Sequence, residues 1–295
     1  KEWGKTYHTV SDIERYTNIH KLVIGKDVEL KPGKVPFPGW KTSLSMNVKV
    51  KNGAMAKIIG AEDFAYNGKI FHSFTADYSK CKKKEKQNDC IHHFGSVRTE
   101  LTSKDDWTFT EGTEKWIHYA FMPVRNILFP KNPHRKYTVG QCHPSGHKIT
   151  WMMTIQKANL IFTHEFSSVK NNNEWKPSSM EKRRVLKKFK VNENYGTDNW
   201  TTVRINFKNS KKPDGKLKVW IDGKIAYDYE GPTNWGKKKH KGKRRNVCYF
   251  KFGIYSNANL KADHKHEAEG MTVFTDYMAM AKTEKKLEEI LSKDK

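Results

Sequence analysis

Polar and apolar positions alternate along much of this 295-residue chain, most cleanly in Tyr249-Phe250-Lys251-Phe252-Gly253-Ile254-Tyr255. Phe250, Phe252 and Ile254 fall on one side and Tyr249, Lys251 and Tyr255 on the other, the two-residue period of a strand with a core face and a polar face. At about 3.3 Å per residue, Lys251 and Tyr255 stand roughly 13 Å apart, with a gap at Gly253 where no side chain fills the face. Interior glycine weakens a strand, and close approach of a ligand or of another backbone is a common reason for it. The same alternation runs through Leu44, Met46, Val48 and Val50 before an Asn52-Gly53 hairpin signal. It recurs in Val203, Ile205 and Phe207, and in Leu217, Val219 and Ile221 before an Asp222-Gly223 turn. Only the stretch 283–293 carries helical spacing, with Leu287, Ile290 and Leu291 among Glu and Lys. Many short strands and one terminal helix predict an all-β sandwich or jelly roll. No repeat and no linker interrupts the pattern, so 1–295 reads as a single domain.

Two further strands carry polar faces. In Val97-Arg98-Thr99-Glu100-Leu101 the side chains of Arg98 and Glu100 share a face, and in Val139-Gly140-Gln141-Cys142-His143 those of Gln141 and His143 do. Placed side by side with the Tyr249–Tyr255 strand, these faces collect the groups that β-elimination from a uronate polysaccharide requires. A cation and an amide neutralise the carboxylate, a base removes the proton on carbon 5, and an acid protonates the departing oxygen. Each residue also has a plainer reading. His143 suits a hydrogen-bonded structural histidine, Tyr255 a half-buried strand aromatic, and Arg98 with Glu100 a structural ion pair in which Glu100 orients Arg98. Lys251 suits a solvated strand residue, and Tyr249 a wall.

Arg-Thr-Glu-Leu at 98–101, Gln-Cys-His at 141–143 and Tyr-Phe-Lys-Phe-Gly-Ile-Tyr at 249–255 resemble, in order, the three signature strands of the jelly-roll polysaccharide lyases. The resemblance is nearest the group of glucuronan lyases and heparin lyase I, with alginate lyases of the same fold more distant. It extends through Trp116 to Pro123 and Trp200 to Gly231, so it spans most of 40–282. The resemblance implies a concanavalin-like sandwich of two antiparallel sheets with a short C-terminal helix. It implies catalytic roles for His143 (base), Tyr255 (acid), Gln141 and Arg98 (carboxylate binding), and substrate contacts for Lys251, Tyr249 and Glu100. In some related enzymes the tyrosine does both proton transfers, and which residue acts depends on whether proton and leaving group lie on the same side of the ring. No cofactor is required; such folds admit a structural calcium ion, but no loop here has a convincing ligand pattern and no residue is assigned to metal. Cys142 departs from the aromatic or aliphatic residue usual at that place, and the chain is too short for the long insertion of heparin lyase I. Two rivals use the same faces: a jelly-roll lectin, which needs no base and acid, and a glycoside hydrolase, which needs two carboxyl groups where only Glu100 stands on a signature strand.

Composition adds a partner. A net charge of +24 concentrates and steers anionic ligands, and the basic clusters Lys82 to Lys86, Lys182 to Lys188 and Lys237 to Arg245 fall in turn-like stretches, the last as a loop before the Tyr249 strand. No helix-turn-helix, zinc-finger or RNA-recognition signature is present, so an anionic polysaccharide rather than nucleic acid is the expected partner, of a monomer. Cys81 and Cys90 bracket a hydrophilic segment and read as a loop staple, whereas Cys142 and Cys248, on apolar strand faces, read as buried thiols. A start at Lys1 without a signal-type segment or bilayer-spanning run, together with that staple, leads to the expectation of a processed protein, secreted or periplasmic.

Overall fold

The computed structural model describes residues 28–29, 40–44, 56–60, 70–76, 97–103, 107–123, 135–144, 149–166, 179–180, 184–189, 200–234, 239–240, 243–244, 247–257 and 271–292. One sheet, the site sheet, has the order β10-β9-β8-β7-β17-β5-β2, with β11 paired to β9. Its strands are β2 (Trp40–Leu44), β5 (Val97–Ser103), β7 (Lys136–Pro144), β8 (Trp151–Gln156), β9 (Asn159–Phe166), β10 (Ser179–Met180), β11 (Arg184–Lys188) and β17 (Cys248–Asn257). The second sheet runs β1-β3-β4-β18-β6-β12-β13-β14. It comprises β1 (Val28–Glu29), β3 (Ala56–Gly60), β4 (Ile70–Ala76), β6 (Glu114–Pro123), β12 (Thr201–Lys208), β13 (Lys216–Ile221), β14 (Lys224–Glu230) and β18 (Met271–Ala281). Strands β15 (Lys239–His240) and β16 (Lys243–Arg244) form a small hairpin, and α1 (Glu284–Ser292) follows β18. The pairings are antiparallel, so the expected two-sheet jelly roll with a terminal helix is what this chain forms.

Alternation explains the layering. Phe250, Phe252 and Ile254 are fully buried or nearly so, as the period of β17 predicts. Aromatic rings bridge the two sheets: Phe74 of β4 meets Phe252 edge-on at 5.7 Å, Tyr119 of β6 lies 5.8 Å from Phe250, and Trp151 of β8 lies 6.2 Å from Phe207 of β12. Such rings dominate core burial and favour edge-to-face or offset contacts. On the outer face of the second sheet Leu287, Ile290 and Leu291 of α1 pack with Tyr277, Ala279 and Ala281 of β18, and the Tyr277 hydroxyl donates to the Leu291 carbonyl.

Three sequence expectations meet a different structure, and three fall outside the described residues. Residues 184–188 are not a turn but strand β11, where Leu186 packs against the core and Lys187 forms an ion pair with Asp222 at 2.7 Å. Within 237–245 the described residues pair antiparallel as β15 and β16, with Lys239 opposite Arg244. Cys142 and Cys248 are not free thiols: they are joined as a disulfide, with Cα atoms 5.5 Å apart. Both sit on the core face of neighbouring strands, and the register that brings them together, Cys248 opposite Pro144 and Phe250 opposite Cys142, is invisible to strand-by-strand reading. The proposed Cys81–Cys90 staple, the Lys82 to Lys86 cluster and the Asn52-Gly53 hairpin lie outside the described residues.

Two histidines are locked in the interior. His164 of β9 is fully buried, with Nδ1 2.9 Å from the Tyr227 hydroxyl and Nε2 without a partner. His118 of β6 packs edge-on against Tyr277, with both ring nitrogens unpartnered. Burial pushes both pKa values down to about 3, aided at His118 by the Arg204 charge. An unfolded chain binds a proton at each below about pH 6.5, whereas the native state does not until about pH 3. Stability is therefore full above pH 6.5 and falls as pH drops through that window, by about 1.4 kcal/mol per histidine per pH unit. Urea midpoints measured from pH 7 to pH 4.5 are expected to fall steeply, and replacing either histidine by an isosteric uncharged residue should flatten the fall.

Candidate active site

The polar faces foreseen on three strands do lie side by side, because β17 sits between β5 and β7. On one flank Tyr255 is opposite Arg98, Gly253 opposite Glu100 and Lys251 opposite Thr102. On the other, Tyr249 is opposite His143, Lys251 opposite Gln141 and Tyr255 opposite Thr138. Bulges fix this last pairing: the register shifts between Phe252 and Tyr255 against β7, and β7 itself shifts against β8 between Thr138 and Gly140. An extra residue in a strand turns later side chains to the opposite face. The shift in β7 lets Val139 and Tyr137 both reach the core while Gln141 stays on the polar face.

Glu100 is the hub. Its side chain is 2% exposed, and its carboxylate receives a 2.6 Å hydrogen bond from Gln141 Nε2 and one of 3.4 Å from Lys251 Nζ. The Arg98 guanidinium approaches it to 3.9 Å. Gln141 and Lys251, expected to touch the polymer, are themselves buried beside it. Glu100, expected among the substrate contacts, is buried with them, and its carboxylate binds these neighbours instead. Arg98 is 19% exposed and its guanidinium stands 4.9 Å from the centre of the Tyr255 ring. Arg98 thus touches both the buried carboxylate and the phenol.

At the other end of the face, Tyr249 and His143 stack with ring centres 5.5 Å apart and the Tyr249 hydroxyl 3.1 Å from His143 Nδ1. Burial, with the Glu100 charge, raises the Tyr249 pKa and holds it as the neutral phenol. His143 and Tyr255 are not brought together: they stand opposite positions six residues apart on β17, a Cα separation of about 20 Å along an extended strand. Gly253, read as a gap for a ligand or a backbone, serves the backbone. Its φ is +124°, and an added Cβ would overlap the Thr99 carbonyl oxygen and lie 2.9 Å from Glu100 Cα and 3.1 Å from the Phe74 ring. The hub role of Glu100 was missed because its partners lie 41 and 151 residues away; the signal available was one carboxylate sharing a face with several cations. Among the described residues no cluster of His, Cys, Asp and Glu could hold a metal ion, and no helix is long and apolar enough to cross a membrane.

Fold and face together define a jelly-roll protein with an arginine, a buried carboxylate hub and two phenols on the outer side of one sheet. The polysaccharide lyase family model matches residues 39–279, and the chain belongs to that family: it is a polysaccharide lyase. The endo-β-1,4-glucuronan lyase from the fungus Trichoderma reesei has a similar structure, with a TM-score of 0.53 at 16% identity over 81% of this chain and 91% of that one. Alginate lyases also match: that from Klebsiella pneumoniae at TM-score 0.49 and 12% identity (84% and 96% covered), and PA1167 from Pseudomonas aeruginosa at 0.43 and 13% (72% and 83%). No curated protein sequence matches the chain.

Proposed function

We propose that the chain cleaves a uronate-containing anionic polysaccharide by β-elimination, leaving an unsaturated uronate at the new end. The observation that carries this reading is Arg98, which faces the surface, is anchored to a buried carboxylate and lies against the Tyr255 ring. In the proposed reaction the sugar carboxylate binds Arg98, while Gln141 and Lys251 brace the Glu100 carboxylate beside it. Neutralising that carboxylate lets negative charge spread onto it as the carbon 5 proton leaves. Electrons of the C5–H bond form the C4–C5 double bond, and the C4–O bond breaks.

The spacing of the face supports one division of the proton transfers. His143 is too far along the sheet from Tyr255 to serve the same sugar, so Tyr255 both takes the carbon 5 proton, as phenolate, and returns it to the departing glycosidic oxygen. This route suits a proton and leaving group on the same side of the ring. His143 and Tyr249 then contact a sugar further along the polymer. No redox or organic cofactor enters the reaction. A net charge of +24 supports a densely anionic polymer, and the Cys142–Cys248 disulfide supports an oxidising, exported location.

The test is far-ultraviolet absorbance during incubation with glucuronan, alginate, heparin, heparan sulfate and ulvan. A rise with one polymer identifies the substrate. Salt-sensitive binding to one of them without any rise would instead favour the non-catalytic lectin reading.

A further inference from the structure

We propose that Glu100 is a positioning residue for the elimination, acting through Arg98: its carboxylate sets where the guanidinium presents itself to the substrate and to the Tyr255 ring. This inference rests on the reading of the site given above. It starts from the number of groups that one buried side chain gathers. Two positive groups and an amide from three different strands converge on Glu100: Arg98 from its own strand, Lys251 from β17 and Gln141 from β7. A carboxylate offers about four lone-pair directions; Gln141 and Lys251 take two as hydrogen bonds, and Arg98 stands at ion-pair distance, 3.9 Å. Arg98 is the member of this trio with appreciable exposure, while Lys251 and Gln141 are nearly sealed.

The arrangement divides the work. Lys251 offsets the buried charge of Glu100, which alone would be costly to desolvate. Gln141 ties the hub to β7 and so to the strand that carries His143. Arg98 carries a planar guanidinium of the geometry that pairs bidentately with a carboxylate, and its side chain is 19% exposed. A flexible arginine held at one end loses less entropy on binding and meets the transition state already aligned. Gly253 allows the closeness this needs, since it lets β17 run against the β5 backbone at Thr99 and Glu100.

A purely structural Glu100 would stabilise the fold and leave the chemistry of folded molecules unchanged. The two roles separate in a double-mutant cycle. Glu100→Gln keeps the shape but presents an amide to two cations, and is expected to lower kcat by about 100-fold, the scale of losing one organised charge-stabilising donor, with KM changed far less. Arg98→Ala should cause a comparable loss. Glu100→Gln added to Arg98→Ala should then cost little more, because a residue acting through another has nothing left to position. Glu100→Gln with Lys251→Met removes the excess buried cation; thermal stability should recover while kcat stays far below that of Lys251→Met alone.

Full additivity of Glu100→Gln and Arg98→Ala, or recovery of kcat in the Lys251→Met background, would overturn the proposal. All of this is read on the polymer that the wild-type protein cleaves. Absence of unsaturated product with wild type on every polymer would instead refute the lyase reading itself.

Discussion

Tyr255→Phe is expected to lower kcat by about 1,000-fold, the middle of the range for a lost acid–base group, while polymer affinity changes by less than about threefold, since the aromatic ring and its contact with Arg98 persist. The argument is geometric. Tyr255 is the phenol that the Arg98 guanidinium overlies, at 4.9 Å from the ring centre. Removing one oxygen leaves packing and the Arg98–Glu100 contact in place, so a fall in kcat without loss of fold reports chemistry. His143→Ala gives the contrast. With His143 opposite Tyr249 and about 20 Å along the sheet from Tyr255, its loss should raise KM more than it lowers kcat. A Tyr255→Phe protein with normal turnover, or a His143→Ala protein with none, would move the proton transfers to the other end of the face.

Gly253→Ala is expected to destabilise the fold by about 3–5 kcal/mol, combining a positive-φ backbone that alanine adopts only with strain and an overlap with packed neighbours. One methyl group would meet the Thr99 carbonyl oxygen, the Glu100 backbone and the Phe74 ring together. Two of these are backbone atoms of β5, so relief requires moving the strand that carries Arg98 and Glu100. Against a typical total of about 5–15 kcal/mol this is a large fraction. Urea denaturation should show a much lower midpoint, and the surviving folded fraction should have reduced turnover. A midpoint equal to that of wild type would show that β5 can retreat at little cost.

Much of the fold was legible because it rests on local alternation. Phe250, Phe252 and Ile254 went to the core as their spacing required, and Leu287, Ile290 and Leu291 made the buried side of α1. The three strands with polar faces also proved to be neighbours. Alternation assigns faces but leaves register open, and a slip of one residue exchanges every side chain. The sequence therefore named Arg98, Glu100, Gln141, His143, Lys251 and Tyr255 without revealing that Glu100 gathers Gln141 and Lys251 or that His143 pairs with Tyr249. Bulges in β7 and β17 are equally silent in a strand-by-strand reading. The basic run 182–188 misled because charge suggested a turn, while Leu186 alone carried the packing that makes β11 a strand.

The measurement closest to the central claim is the mass of the oligosaccharides released from whichever polymer gives the absorbance rise. Elimination adds no water, so each new non-reducing end should be one water lighter than a hydrolytic end and should carry the double bond. Products that have gained one water per cut, with no ultraviolet absorbance, would contradict β-elimination and the roles given to Arg98 and Tyr255.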